Sequence, residues 1–242
     1  MTDAVVSPAR APLPRRLPGW GAQVLLVLRK DLAIEARSGE VVVTSGFFAL
    51  LLVVLSSLSL YAGPATARIV ASAVIWLSVA FAAVLALGRS WQREREESAL
   101  DGLLVAPLAP SALFAGKALG VLAFLLAIEL VVIPLTALLF AIDLNLYAGS
   151  LACIALAATP GVAASGALFG AMTVRTRARD LLLAVVLFPL LAPTLLAAVA
   201  ATRELFGGAT FDELYDYFKL MGVFDVVFIS GGLALFGSLI DR

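Results

Sequence analysis

Six long apolar blocks set the terms on which this chain can fold. Residues 41–67, 69–88, 118–142, 144–174, 181–202 and 220–240 hold only two charged side chains between them, Glu129 and Asp225. Each block reaches the roughly 20 residues that an α-helix needs to cross a ~30 Å hydrocarbon layer. The remaining basic and acidic residues, of which the chain has 17 of each in all, fall in the tails and connections. Across its 242 residues the chain is 62% apolar and only 14% charged, against about 25% charged in a soluble globular domain. The pattern predicts an all-α polytopic membrane protein with six transmembrane helices.

The residue inventory removes several chemistries. There is no histidine and a single cysteine, Cys153. A structural zinc site, a Ser/His/Asp triad, a Cys/His pair, an intrachain disulfide and a histidine-ligated heme within this chain are therefore excluded. Cys153 reads as a small packing residue. The formal net charge is zero, which gives no basis for a nucleic-acid partner. Transport, channel, scaffold or intramembrane work is left, and no catalytic residue or metal ligand is assigned.

Sidedness follows from the excess of Lys and Arg on the cytoplasmic side of membrane proteins. With the N-terminus inside, the inner segments hold fourteen basic residues and the outer segments only Arg68, Arg203 and Lys219. An even number of spans then puts both termini in the cytoplasm. Residues 1–19, rich in Pro, Ala and Arg, read as a disordered cytoplasmic leader. Residues 20–40 read as a juxtamembrane helix lying in the membrane plane or as an extension of the first span. Residues 41–242 form the six-helix transmembrane domain, with a cytoplasmic coupling loop at 89–117. The second inner loop, residues 175–180, carries three arginines; it is an orientation signal touching anionic lipid or a partner contact.

The loop Arg89–Lys117 reads RSWQREREESALDGLLVAPLAPSALFAGK. Its first half can form a helix in which Arg93, Glu94, Arg95, Glu96 and Glu97 interleave in sign, followed by Leu100, Leu103 and Leu104, with Pro107 and Pro110 stopping it. Such a helix suits a groove on a soluble partner, the leucines anchoring and the charges setting register. The alternative is a solvated linker whose charges face water. Gly116-Lys117 is no phosphate loop, because position 111 is Ser, position 118 is Ala, and an apolar span follows.

Inside the spans, Glu129 lies near the middle of the third block, five residues before Pro134. An ionised carboxylate at that depth costs roughly 2.5–3.5 kcal/mol on insertion scales. Three roles fit it: tying helices by hydrogen bonding, gating by protonation, or lining a substrate path. Asp225 is nearer the outer interface and cheaper. Thr159-Pro160-Gly161 predicts a kink in the fourth span, and Pro189 and Pro193 bends in the fifth. Gly166 and Gly170 form a GxxxG that permits close helix approach, within the chain or to another subunit. Outside, Thr210 and Glu213 form a capping box before Phe211, Leu214, Tyr215 and Phe218. This predicts a short helix at the outer interface, either an aromatic anchor or a docking surface for a periplasmic partner.

The segment 89–117, followed by ELVVIPLTALLF and preceded by LRKDLAIEARSGE at residues 28–40, resembles the heme exporter protein B (CcmB-type) family. The resemblance spans residues 28–240 and is most specific over Glu94–Lys117. It implies an ABC exporter type permease in the bacterial inner membrane, belonging to the cytochrome c maturation (system I) complex. The implied partners are a separate ATP-binding ABC subunit, a heme-handling membrane subunit and a periplasmic heme chaperone, besides membrane lipid. It also implies that heme is cargo of the complex rather than a cofactor of this chain, and that the chain is a coupler rather than an enzyme. Within that reading the charged helix and its leucines contact the ATPase subunit. Apolar spans do not encode substrate identity, so an ABC exporter permease for another lipid or small molecule, or a non-transporting scaffold, stays open on the residues alone.

Overall fold

A computed structural model of the chain describes residues 18–60, 63–96, 108–173 and 179–240. The described residues are helical, with no strand among them. We label the helices α1 (Trp20–Ser38), α2 (Glu40–Leu60), α3 (Pro64–Glu96), α4 (Pro110–Leu139), α5 (Leu144–Thr173), α6 (Arg179–Gly207) and α7 (Tyr215–Ile240). A single 3-10 turn, Phe211–Leu214, leads into α7. Six of these segments are long and apolar enough to cross a membrane, running Glu40–Leu60, Thr66–Arg89, Pro110–Leu139, Leu144–Met172, Val185–Gly207 and Phe211–Leu239. The six-helix all-α architecture expected from the apolar blocks is the one observed.

Helix α1 ends where its chemistry requires. Gly39 takes φ +62°, a left-handed conformation that a Cβ disfavours, and its N–H closes the helix on the Glu35 carbonyl at 2.7 Å. The next helix starts at once, and the Glu35 carboxylate accepts from the Val42 N–H at 2.8 Å, satisfying one of the donors that a helix start leaves without a partner. At the other end of the bundle, Ala141 at φ +55° turns the chain between α4 and α5, and Asp143 Oδ1 accepts from the Asn145 N–H to begin α5.

Helix α5 is the hub, packed against α3, α4, α6 and α7. Buried aromatics and small residues fill the space around it, among them Trp76, Phe140 and Phe206 with Ala71, Ala158 and Ala198. Trp76 donates its indole N–H to Thr202 Oγ1 at 2.8 Å, tying α3 to α6 inside the apolar core. Gly166 of α5 lies against the Leu87 side chain of α3 so closely that a Cβ there would collide with it. Gly170, one turn on, is also buried. Gly166 of the GxxxG thus serves a contact within the chain.

Three boundaries differ from the pattern of charges. Helix α3 continues past its apolar span to Glu96, and α4 begins at Pro110, so the connection between them is shorter than residues 89–117. Pro110 occupies the first helical positions, where its missing N–H costs nothing, and so starts a helix where a stop was expected. The aromatic segment after Thr210 is not a separate interfacial helix. Glu213 does accept from the Thr210 N–H at 2.7 Å, but the turn it caps runs directly into α7. No proline occurs between Tyr215 and Ile240, so nothing breaks the helix there.

Candidate functional site

Two regions gather the polar residues that an apolar bundle does not need for folding: the end of the bundle holding α1, and the membrane core around Glu129.

At the first, α1 packs along the start of α4. Its orientation inverts the usual amphipathic rule. Gln23, Asp31 and Glu35 are buried with Val24 and Val27, whereas Trp20, Leu25, Leu26 and Leu32 are exposed beside the exposed Arg29 and Arg37. Each buried polar group has a partner. Lys117 Nζ stands 3.0 Å from Asp31 Oδ2, and Lys30 Nζ 3.3 Å from Asp31 Oδ1. Gln23 Oε1 accepts from the Ala109 N–H at 2.8 Å, and Trp20 Nε1 donates to Ser111 Oγ at 3.1 Å. Small residues at Ala112, Gly116 and Gly120 let the helices approach. A Cβ on Gly116 would lie 2.6 Å from Val27 Cβ and 3.0 Å from the Val24 carbonyl, while one on Gly120 would meet Asp31 at ordinary contact distance. Nearby, Arg89 Nη1 and Glu40 Oε1 pair at 3.0 Å across the start of α2 and the end of the third helix's apolar span. Helix α1 therefore holds the first residues of α4, the point at which the chain re-enters the bundle after the charged segment.

Of the charged segment itself, Arg93, Glu94, Arg95 and Glu96 form the last turns of α3. Leu100, Leu103 and Leu104 lie outside the described residues.

In the core, Glu129 is 2% exposed. Thr159 Oγ1 donates to Glu129 Oε1 at 2.7 Å, and Glu129 Oε2 has no hydrogen-bond partner among the described residues. Two residues on, Gly161 leaves room for half-buried Asp225 and for Phe224 of α7, which a Cβ would strike. The Thr159-Pro160-Gly161 step of α5 is thus flanked by a carboxylate from α4 and another from α7. Beside Glu129 an apolar groove of about 560 Å³ runs between α4 and α5 toward the end of α4, lined in part by Leu130, Pro134, Ala148, Ala152 and Leu156. Among the described residues no group of three or more Cys, Asp or Glu side chains is placed to hold a metal ion.

The sequence alone missed Lys117 as a buried group with Asp31 as its partner, Gln23 as the acceptor for the Ala109 N–H, and Thr159 as the partner of Glu129. The Ala112, Gly116, Gly120 spacing was the available signal, since small residues four apart mark a face for another helix.

Fold and polar residues together define a multi-pass α-helical membrane protein in which a buried ionic strap fixes an additional helix to one end of the bundle. Comparison with known proteins narrows the class. The CcmB protein family model matches residues 22–237, and the chain belongs to that family. Among curated relatives, heme exporter protein B of Bradyrhizobium diazoefficiens is 30% identical over 185 residues, covering 75% of this chain and 82% of the relative. Heme exporter protein B of Rhodobacter capsulatus is 32% identical over 187 residues (74% and 81%), and that of Paracoccus denitrificans 30% over 191 residues (76% and 84%).

Proposed function

We propose that this chain is the membrane permease subunit of an ABC-type heme exporter of cytochrome c maturation, set in a bacterial inner membrane with both termini cytoplasmic. ATP is hydrolysed by a separate subunit, because the chain carries no phosphate loop. Heme is cargo of the complex. With no histidine in the chain, its usual axial ligand comes from a companion heme-handling membrane protein, from which heme passes to a periplasmic chaperone.

Family membership carries this reading, and the construction of the α1 end supports the coupling it requires. Helix α3 extends its charges, Arg93 to Glu96, beyond the apolar span. Helix α4 restarts under a strap of buried hydrogen bonds and ion pairs. The segment that joins the charged end of α3 to this held start of α4 can seat in a cleft of an ATPase and convert its closure into movement of α3 and α4. Arg93, Glu94, Arg95 and Glu96 set its register there, and Leu100, Leu103 and Leu104 anchor it. The outward leucines and arginines of α1 lie in the cytoplasmic membrane surface, apolar side chains in the headgroup boundary and Arg29 and Arg37 on anionic phosphates.

Affinity purification from the native membrane tests the assignment. The tagged chain is expected to bring down a phosphate-loop ATPase and a histidine-bearing heme protein, and a chain with Arg93→Glu and Glu94→Arg is expected to lose the ATPase while retaining the heme protein. Recovery of neither partner sinks the assignment, and undiminished ATPase recovery by the charge-reversed chain removes the docking role.

A further inference from the structure

We propose that Glu129 and Asp225 form a proton-binding layer in the middle of the membrane, each holding a proton as a neutral carboxyl group while it is packed against α5.

The two groups share one depth. Asp225, expected nearer the outer interface, is the middle residue of the 29-residue span Phe211–Leu239. Its Oδ1 lies against Gly161, which has no Cβ to keep it away. Thr159, which donates to Glu129 Oε1 at 2.7 Å, stands one residue past the middle of Leu144–Met172. Glu129 itself is ten residues from the end of α4 at Leu139, or about 15 Å along the helix.

A charge at that depth needs a counter-charge or several donors. Among the helices packed on α4 and α7, residues 41–60, 69–88, 144–172 and 185–202 hold no charged side chain, and only Tyr147 and Cys153 of these can titrate. Glu40 with Arg89, and Arg203 with Glu204, pair at the ends of the bundle. Asp31 of α1 meets Lys117 at 3.0 Å, and Lys117 precedes Glu129 by twelve residues, about 18 Å along α4. On α7 the exposed Lys219 precedes Asp225 by six residues, about 9 Å along the helix. Glu129 thus receives one hydrogen bond, from Thr159, while its Oε2 is buried with no partner among the described residues. An ionised carboxylate would hold its charge against apolar side chains there, and a group so placed neutralises instead. Oε2 carries the proton, and Oε1 is the carbonyl oxygen to which Thr159 donates.

Pro160, between the two contact residues, has no N–H to close its turn of α5, and helices bend at such places. A change of bend moves Thr159 against α4 and Gly161 against α7 together. Closing both contacts takes protons from water as the carboxylates become acids, and parting them to admit water returns those protons. The layer depends on the membrane setting of the bundle and not on heme as cargo or on an ATPase.

Infrared spectroscopy of the purified full-length protein, in alkyl maltoside micelles that contain no carbonyl group, tests it at about pH 7, where exposed carboxyl groups are ionised. The wild type is expected to show the carbonyl stretch of un-ionised carboxylic acids, moving to lower frequency in D2O. Glu129→Gln and Asp225→Asn, which keep the size of each side chain, are each expected to remove one component of it. Thr159→Val is expected to keep the Glu129 component but raise its frequency, because the carbonyl loses its hydrogen bond, and Thr159→Ser to leave it in place. Gly161→Ala, whose Cβ would strike Asp225 Oδ1, is expected to shift the Asp225 component alone. Absence of the stretch from the wild type overturns the proposal without recourse to any variant, as does its full retention in Glu129→Gln or in Asp225→Asn. Spectra of Thr159→Val and Gly161→Ala identical to that of the wild type overturn the tie to α5.

Discussion

Asp31 and Lys117 are 86 residues apart in sequence and meet where neither charge could remain alone. Lys117 is 2% and Asp31 9% exposed, so each depends on the other to offset the loss of water. Their environments are unequal. Asp31 also has Lys30 at 3.3 Å, on a side chain that reaches solvent, so removing Lys117 leaves the carboxylate a second cation. Removing Asp31 takes away the carboxylate that stands 3.0 Å from Lys117. Breaking a buried pair from one side typically costs about 3–5 kcal/mol. Asp31→Leu and Lys117→Met are each expected to destabilise the detergent-solubilised protein, Lys117→Met by less than that range because Lys30 stays beside Asp31. The double variant is expected to recover most of the loss, because replacing both partners by apolar groups is often neutral. Thermal unfolding of the four proteins checks the order, and additive losses in the double variant show that the two side chains do not act as a pair.

At the scale of elements, Gly116 sets the distance between α1 and α4. A methyl group there meets Val27 Cβ at 2.6 Å and the Val24 carbonyl at 3.0 Å, and a carbonyl in a helix cannot step aside without the helix moving. Overpacking of this kind costs about 1–3 kcal/mol. Gly116→Ala is therefore expected to lift α1 off α4 and to speed tryptic cleavage at Arg29, with little rescue by Val27→Ala, which removes the Cγ1 methyl at 2.7 Å but leaves the Cβ and the Val24 carbonyl in place. Cleavage unchanged from wild type means that α1 does not rest on this glycine. The six spans were legible because hydropathy acts over whole helices, and even the GxxxG could be placed on a packing face. The start of α4 was not. Lys117 reads as a water-seeking charge until its distant partner is known, and Pro110 reads as a stop until the chain is seen to begin a helix on it. The core site was half legible: Glu129 stands out as a carboxylate in an apolar run, but Thr159, thirty residues on, is an ordinary polar residue until the fold brings it within 2.7 Å.

Over the whole molecule, the number of crossings constrains sidedness more tightly than any single charge. Ser38 precedes α2 and Asn145 stands in the first turn of α5, so three spans separate them and they must face opposite compartments. Both side chains are exposed and lie at the helix ends. The proposed topology, drawn from the excess of Arg and Lys, has the Ser38 end in the cytoplasm, which is also the compartment where the charged end of α3 would meet an ATPase. In a Cys153→Ala background, Asn145→Cys is expected to react with a membrane-impermeant maleimide in intact cells, and Ser38→Cys only after lysis. The reverse pattern inverts the topology and with it the coupling role of residues 93–104. Labelling of both sites in intact cells is incompatible with three crossings between them, and then the hydropathy of α2, α3 and α4 must be read as burial within protein rather than passage through lipid.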